Sequence, residues 1–128
     1  MHIGKLFSLG AALSLVSSAL AAAPPYSAAQ AKAGQTTYNA NCAGCHGNKL
    51  QGGAGPALAG QTFLSKWASH KVDDLYYIIH TQMPLNAPGS LSTTQYLNTV
   101  TYILQANKFT PGKKALTQAD LTKYTLKK

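Results

Sequence analysis

Cys42-Ala43-Gly44-Cys45-His46 places two thiols three positions apart, with an imidazole immediately behind them. In a C-x-x-C-H run, thiols one helical turn apart can add to the two vinyl groups of a haem while the adjacent imidazole reaches the iron. The motif uses both cysteines of the chain, so no disulfide framework competes for them. Two other chemistries need a different context. A tetrahedral zinc site takes four ligands with closely spaced histidines, whereas His70 and His80 are ten positions apart. A dithiol of the thioredoxin kind sits between strands and helices, a pattern the flanking sequence lacks. These residues predict one covalent haem c per chain.

A haem iron has a second axial position, and few residues here could fill it. Met1 and Met83 are the two methionines. Pro84 biases Met83 away from helical geometry and so into a loop, from which a thioether could reach a metal. The competing reading is a methionine that fills core space, and His80 or His70 could replace it as ligand. Pro56 has a free carbonyl that could accept from the imidazole Nδ1–H and orient the ring, or it could be an ordinary turn proline. Trp67, Tyr76 and Tyr77 read as core.

The elements that position these groups read as short helices. Ala31, Gly34, Tyr38 and Cys42 recur along one helical face that leads into the thiols. Gly47 to Gly60 holds five glycines and Pro56, which predicts a loop able to follow a curved surface. A short helix is expected over 62–69. Val72, Leu75 and Ile79 mark another, with Asp73 and Asp74 at its positive N-terminal end and Pro84 closing the segment, so that the helix stops just before Met83. Ser92 and Gln95 form a capping box, followed by Tyr96, Val100, Ile103 and Leu104 on one face. Beyond Pro111-Gly112, residues 116–126 offer at most one more short helix, and no strand pair is evident. The fold class is all-α.

Ahead of this domain, Lys5, an apolar run from Leu6 to Val16 and small residues through Ala23 resemble a secretory signal peptide. Ala19 and Ala21 place cleavage after Ala21, giving a leader over 1–21 and a domain over 22–128. Export implies a periplasmic location and an oxidising compartment. The alternative is an uncleaved segment from Leu6 to Ala23 that anchors the chain in the membrane.

At 128 residues, with 45% hydrophobic and 11% charged residues, the chain fits one domain and excludes both a multidomain enzyme and a charged disordered polymer. Gly34 and Tyr38, Cys42-Ala43-Gly44-Cys45-His46-Gly47, Gly55-Pro56-Ala57-Leu58, Met83-Pro84 and Tyr102-Ile103-Leu104 together resemble the class I c-type cytochromes. The resemblance implies short helices wrapped around one haem, with His46 and Met83 as axial ligands of the iron. It also implies that the Pro56 carbonyl accepts from His46, and that Gly34 and Tyr38 lie where the first and last helices cross, near Tyr102. The stretch from Met83 to Ser92, with Tyr96 and the run from Tyr102 to Asn107, is similar to cytochrome domains found with periplasmic quinoprotein dehydrogenases.

Eleven lysines, no arginine and three aspartates give a net charge of +8, and six of the lysines fall from Lys108 onward. Such a basic surface suits redox partners with acidic docking patches, or loose association with an anionic membrane surface, and nucleic acid is a poor target for an exported haem protein. The expectation is a periplasmic electron carrier with no substrate chemistry of its own, taking electrons from a dehydrogenase and passing them toward a terminal oxidase. Two alternatives stand beside it: an open-site haem protein that binds gases or cleaves peroxide, and a dedicated subunit of a larger dehydrogenase complex.

Overall fold

The computed structural model describes residues 12, 14, 15 and 23–128, so the expected leader and its cleavage point lie almost wholly outside the described residues. Helix α1 spans Ala28–Asn41 and starts at Ser27, whose hydroxyl accepts from the Gln30 N–H at 3.1 Å. One turn, α2 (Ala43–His46), follows directly, then a loop to α3 (Gln61–Trp67), α4 (Val72–Gln82) and α5 (Thr93–Ala106). At α4 the Asp74 carboxylate accepts from the Lys71 N–H at 2.8 Å. At α5 the Ser92–Gln95 box closes reciprocally, at 2.9 and 3.1 Å. The described residues contain no strand, only two isolated bridges, Ser27 with Gly112 and Lys71 with Thr125.

The frame is the crossing of α1 on α5. Ala31, Gly34 and Tyr38 are buried on α1, facing Val100, Ile103 and Leu104 in one apolar cluster. Gly34 makes the approach feasible, since a Cβ there would lie 1.8 Å from the Asn98 carbonyl oxygen. The rings of Tyr38 and Tyr102 meet with centroids 5.2 Å apart, as the resemblance implied. Val72, Leu75 and Ile79 bury the predicted face of α4. Tyr77 departs from its expected core place and is 61% exposed: it lies two residues after Leu75, a spacing that points away from the buried stripe of a helix.

The lysine-rich C-terminal stretch is built into the fold. After Asn107 it contains one short 3₁₀ turn (Gln118–Asp120), yet Phe109, Leu116, Leu121 and Leu126 are all buried. The Tyr26 hydroxyl donates to the Phe109 carbonyl, and Gly112 N–H donates to the Tyr26 carbonyl at 2.7 Å. The Gln30 side chain holds both backbone groups of Leu116, at 2.8 and 2.9 Å. Farther on, Leu126 and Tyr124 pair with the segment that opens α4: Leu126 N–H donates to His70 at 2.8 Å, and Val72 N–H donates to Tyr124 at 3.0 Å. No helix among the described residues is long and apolar enough to cross a membrane.

Candidate haem site

The chain turns at Cys42, whose N–H still reaches the Tyr38 carbonyl at 2.8 Å, and restarts as α2. That restart brings His46 inward, with 7% of its surface exposed, while Cys45 faces solvent and Cys42 is half-buried. Both thiols are free, and burial pushes the Cys42 thiol up to about 11. Tyr38 supports the turn from below by donating to the Gly47 carbonyl at 2.7 Å. Burial, followed by the nearby Cys42 and Tyr102, keeps its hydroxyl well above the ordinary tyrosine value, so it remains a donor.

The glycine-rich loop folds back over this turn. Gly52 N–H donates to the His46 carbonyl at 2.7 Å and Gly55 N–H to the Cys45 carbonyl at 2.9 Å. The imidazole Nδ1 of His46 lies 2.8 Å from the Pro56 carbonyl oxygen. A carbonyl can only accept, so Nδ1 carries the hydrogen and Nε2 keeps a lone pair available to a metal. Gly55 is required for this closeness, because a Cβ there would sit 2.7 Å from the His46 Cε1.

Met83 sits directly after α4, in extended conformation with φ −123° and ψ 154°. It is half-buried and packs against the apolar cluster, as do Leu58, Ala59, Leu64 and Leu91. His80 is occupied otherwise: its ring stacks on Tyr76 at 5.4 Å and meets the Tyr96 ring edge-on at 5.1 Å. His70 is an exposed residue two positions ahead of α4, 3.5 Å from Asp74 and against the Trp67 ring. Among the described residues no three His, Cys, Asp or Glu side chains converge as a metal-ion site.

Two residues of the site were not legible as such in the sequence. Asn107 receives Gly60 N–H on Oδ1 at 3.0 Å and donates from Nδ2 to Leu58 and Ile103, both at 2.9 Å, fixing the end of the glycine loop to α5. Tyr96 read as an apolar position of α5 and as part of the wider resemblance, neither of which gives its hydroxyl a role, but that hydroxyl donates to the Met83 carbonyl at 2.7 Å.

These residues fit a covalent haem: two accessible thiols, a buried imidazole with Nε2 free, and a loop thinned by glycine around it. Helices crossing at Gly34 and a C-x-x-C-H turn beneath them define a single-haem class I c-type cytochrome domain. Residues 29–103 match the model of the family described as cytochrome c oxidase, cbb3-type, subunit III, and the chain belongs to that family. It therefore carries haem c attached through Cys42 and Cys45. Among solved structures it is similar to a chain of the sulfane dehydrogenase SoxCD from Paracoccus pantotrophus, with a TM-score of 0.60 and 21% identity. The match covers 75% of this chain and 52% of that one, so this chain spans about half the length of its structural neighbour, and the likeness is one of fold. No curated protein sequence matches the chain.

Proposed function

We propose that this protein is an exported, periplasmic single-haem electron carrier in which His46 and Met83 are the two axial ligands. The carrying observation is the His46 imidazole, buried on the C-x-x-C-H turn with Nδ1 on the Pro56 carbonyl and Nε2 left for iron. Haem c supplies a one-electron ferric/ferrous couple, and His/Met ligation raises its potential. Pro56 orients the imidazole and increases its basicity. Met83, extended and half-buried just after α4, is the one thioether of the domain, while the aromatic packing of His80 argues against that residue as its substitute.

The donor in this reading is a dehydrogenase and the onward acceptor a terminal oxidase, each met through an acidic patch that the lysines attract. The oxidase-subunit description of the family and the dehydrogenase to which the fold is similar are in keeping with both partners. The absorption spectrum of the reduced holoprotein, taken before and after carbon monoxide, tests the ligation. An unchanged low-spin spectrum in the natural protein, with carbon monoxide binding and a lower potential in Met83→Ala, is the expected result. Rapid binding by the natural protein overturns it in favour of an open-site haem.

A further inference from the structure

The segment from Met83 to Leu91 leaves α4 and returns to α5, and its two ends meet at one oxygen atom. The Tyr96 hydroxyl donates to the Met83 carbonyl at 2.7 Å and accepts from the Leu91 N–H at 3.3 Å. Its ring is fully buried in the first turn of α5, with His80 edge-on against it and Tyr76 behind His80. Between the two anchored ends, residues 85–90 are exposed, Leu85 to 76%. Met83 N–H still closes the last turn of α4, donating to Ile79 at 3.1 Å, and the segment's other backbone bonds are internal to it: Ala87 N–H to Pro84 at 2.9 Å, Gly89 N–H to Met83 at 3.3 Å and Ser90 N–H to Ala87 at 3.2 Å. The internal bonds travel with the segment, so that beyond the Met83 N–H its return to α5 is fastened through the Tyr96 hydroxyl.

We propose that Tyr96 is a positioning residue, a latch that holds the Met83 segment closed over the sixth coordination position and so sets how readily an outside ligand gains the iron. The proposal rests on Met83 being the distal ligand. One hydroxyl serves a carbonyl and an N–H at once, and removing it leaves both backbone groups without that partner while the segment is closed. In the open segment water satisfies them, so the balance moves toward opening. Loss of one strong and one weaker hydrogen bond shifts it about tenfold.

The test uses the ferric holoprotein with imidazole as the probe. Tyr96→Phe, which keeps the ring packing, is expected to bind imidazole about tenfold faster and to weaken the thioether-to-iron charge-transfer band. Tyr26→Phe removes another buried hydroxyl, the one on Phe109, and is expected to lower the thermal midpoint without changing imidazole binding. Met83→Ala separates the two claims. If it binds imidazole no faster than the natural protein, the ligand assignment itself fails. If it binds faster but Tyr96→Phe does not, or if Tyr26→Phe accelerates binding as much as Tyr96→Phe, the assignment stands and the latch is overturned.

Discussion

Residues 47–60 and 107–126 both lack α-helix, yet they differ in how much side chain they bury. The first stretch is held by backbone bonds, Gly52 on His46, Gly55 on Cys45, and Leu58 and Ala59 on the Leu50 carbonyl, with the side chains of Tyr38 and Asn107 at its two ends. It buries one residue, Leu50. The second is a strap that adds buried side chains to its backbone bonds: Phe109, Leu116, Leu121 and Leu126 go inside, Gln30 and Asn107 reach across to it or from it, and its backbone pairs with Tyr26, His70 and Val72. Loops with little side-chain volume leave space beside a ring, and loops rich in leucine fill space that no helix covers. The first stretch lies within the part of the chain that matches the family, and the second lies beyond it.

That contrast predicts that stability and spectrum can be perturbed separately. Leu121→Ala empties a buried position of the strap and should cost about 3 kcal/mol in denaturant unfolding while the haem spectrum stays the same. Gly55→Ala should cost less, about 2 kcal/mol, but should alter the spectrum, because its Cβ enters the His46 ring edge and turns the imidazole from Pro56. A Gly55→Ala variant that moved stability alone, or a Leu121→Ala variant that changed the spectrum, would show that the two regions are not distinct. Asn107→Ala lies at their junction and should cost about 1.5 kcal/mol, with a smaller spectral change, since it frees Leu58 and Gly60 together.

The smallest effect is expected at Asp120. Its carboxylate accepts from the Thr117 hydroxyl at 2.8 Å and the Thr117 N–H at 3.0 Å, and these bonds, the hydroxyl first, hold it below the ordinary value of 3.8. A depressed carboxyl contributes stability above its unfolded value and loses it as the pH falls through its folded one. Asp120→Asn should therefore flatten the acid limb of the stability curve, read from unfolding at a series of pH values, and leave the spectrum untouched.

Much of the haem side was readable from the chain alone. C-x-x-C-H, the glycine loop and the Ser92–Gln95 box are local patterns, and each acts on neighbours within a few positions. The α1 face was equally plain, because Ala31, Gly34 and Tyr38 repeat at helical spacing. The third helix came out as Gln61–Trp67, close to the 62–69 expected. The strap was not readable, for two physical reasons. Leu116, Leu121 and Leu126 recur every five residues, a spacing that suits neither a helix nor a strand, so no period announces their burial. Their polar anchors are distant in sequence: Gln30 and Leu116 are separated by 86 positions, and Asn107 and Leu58 by 49. Tyr96 escaped for a related reason. Its ring obeys the apolar pattern of α5, while its hydroxyl acts 13 positions away, where periodicity carries no information.

The dependence of α1 on α5 also sets an order of events during biosynthesis. Tyr26 meets Phe109 across 83 positions, and Gly34 meets Asn98. A chain made from its N-terminus therefore exposes Cys42, Cys45 and His46 well before α1 has anything to pack against, because contacts so distant in sequence close last. Throughout that interval the thiols lie on a chain whose first helix has no packing partner. The residues from Asn107 onward, made after α5, are those that reach back to Tyr26 and Gln30 ahead of the thiols. The first helix cannot lock before its partners are made, because they are encoded 64 and more positions further along.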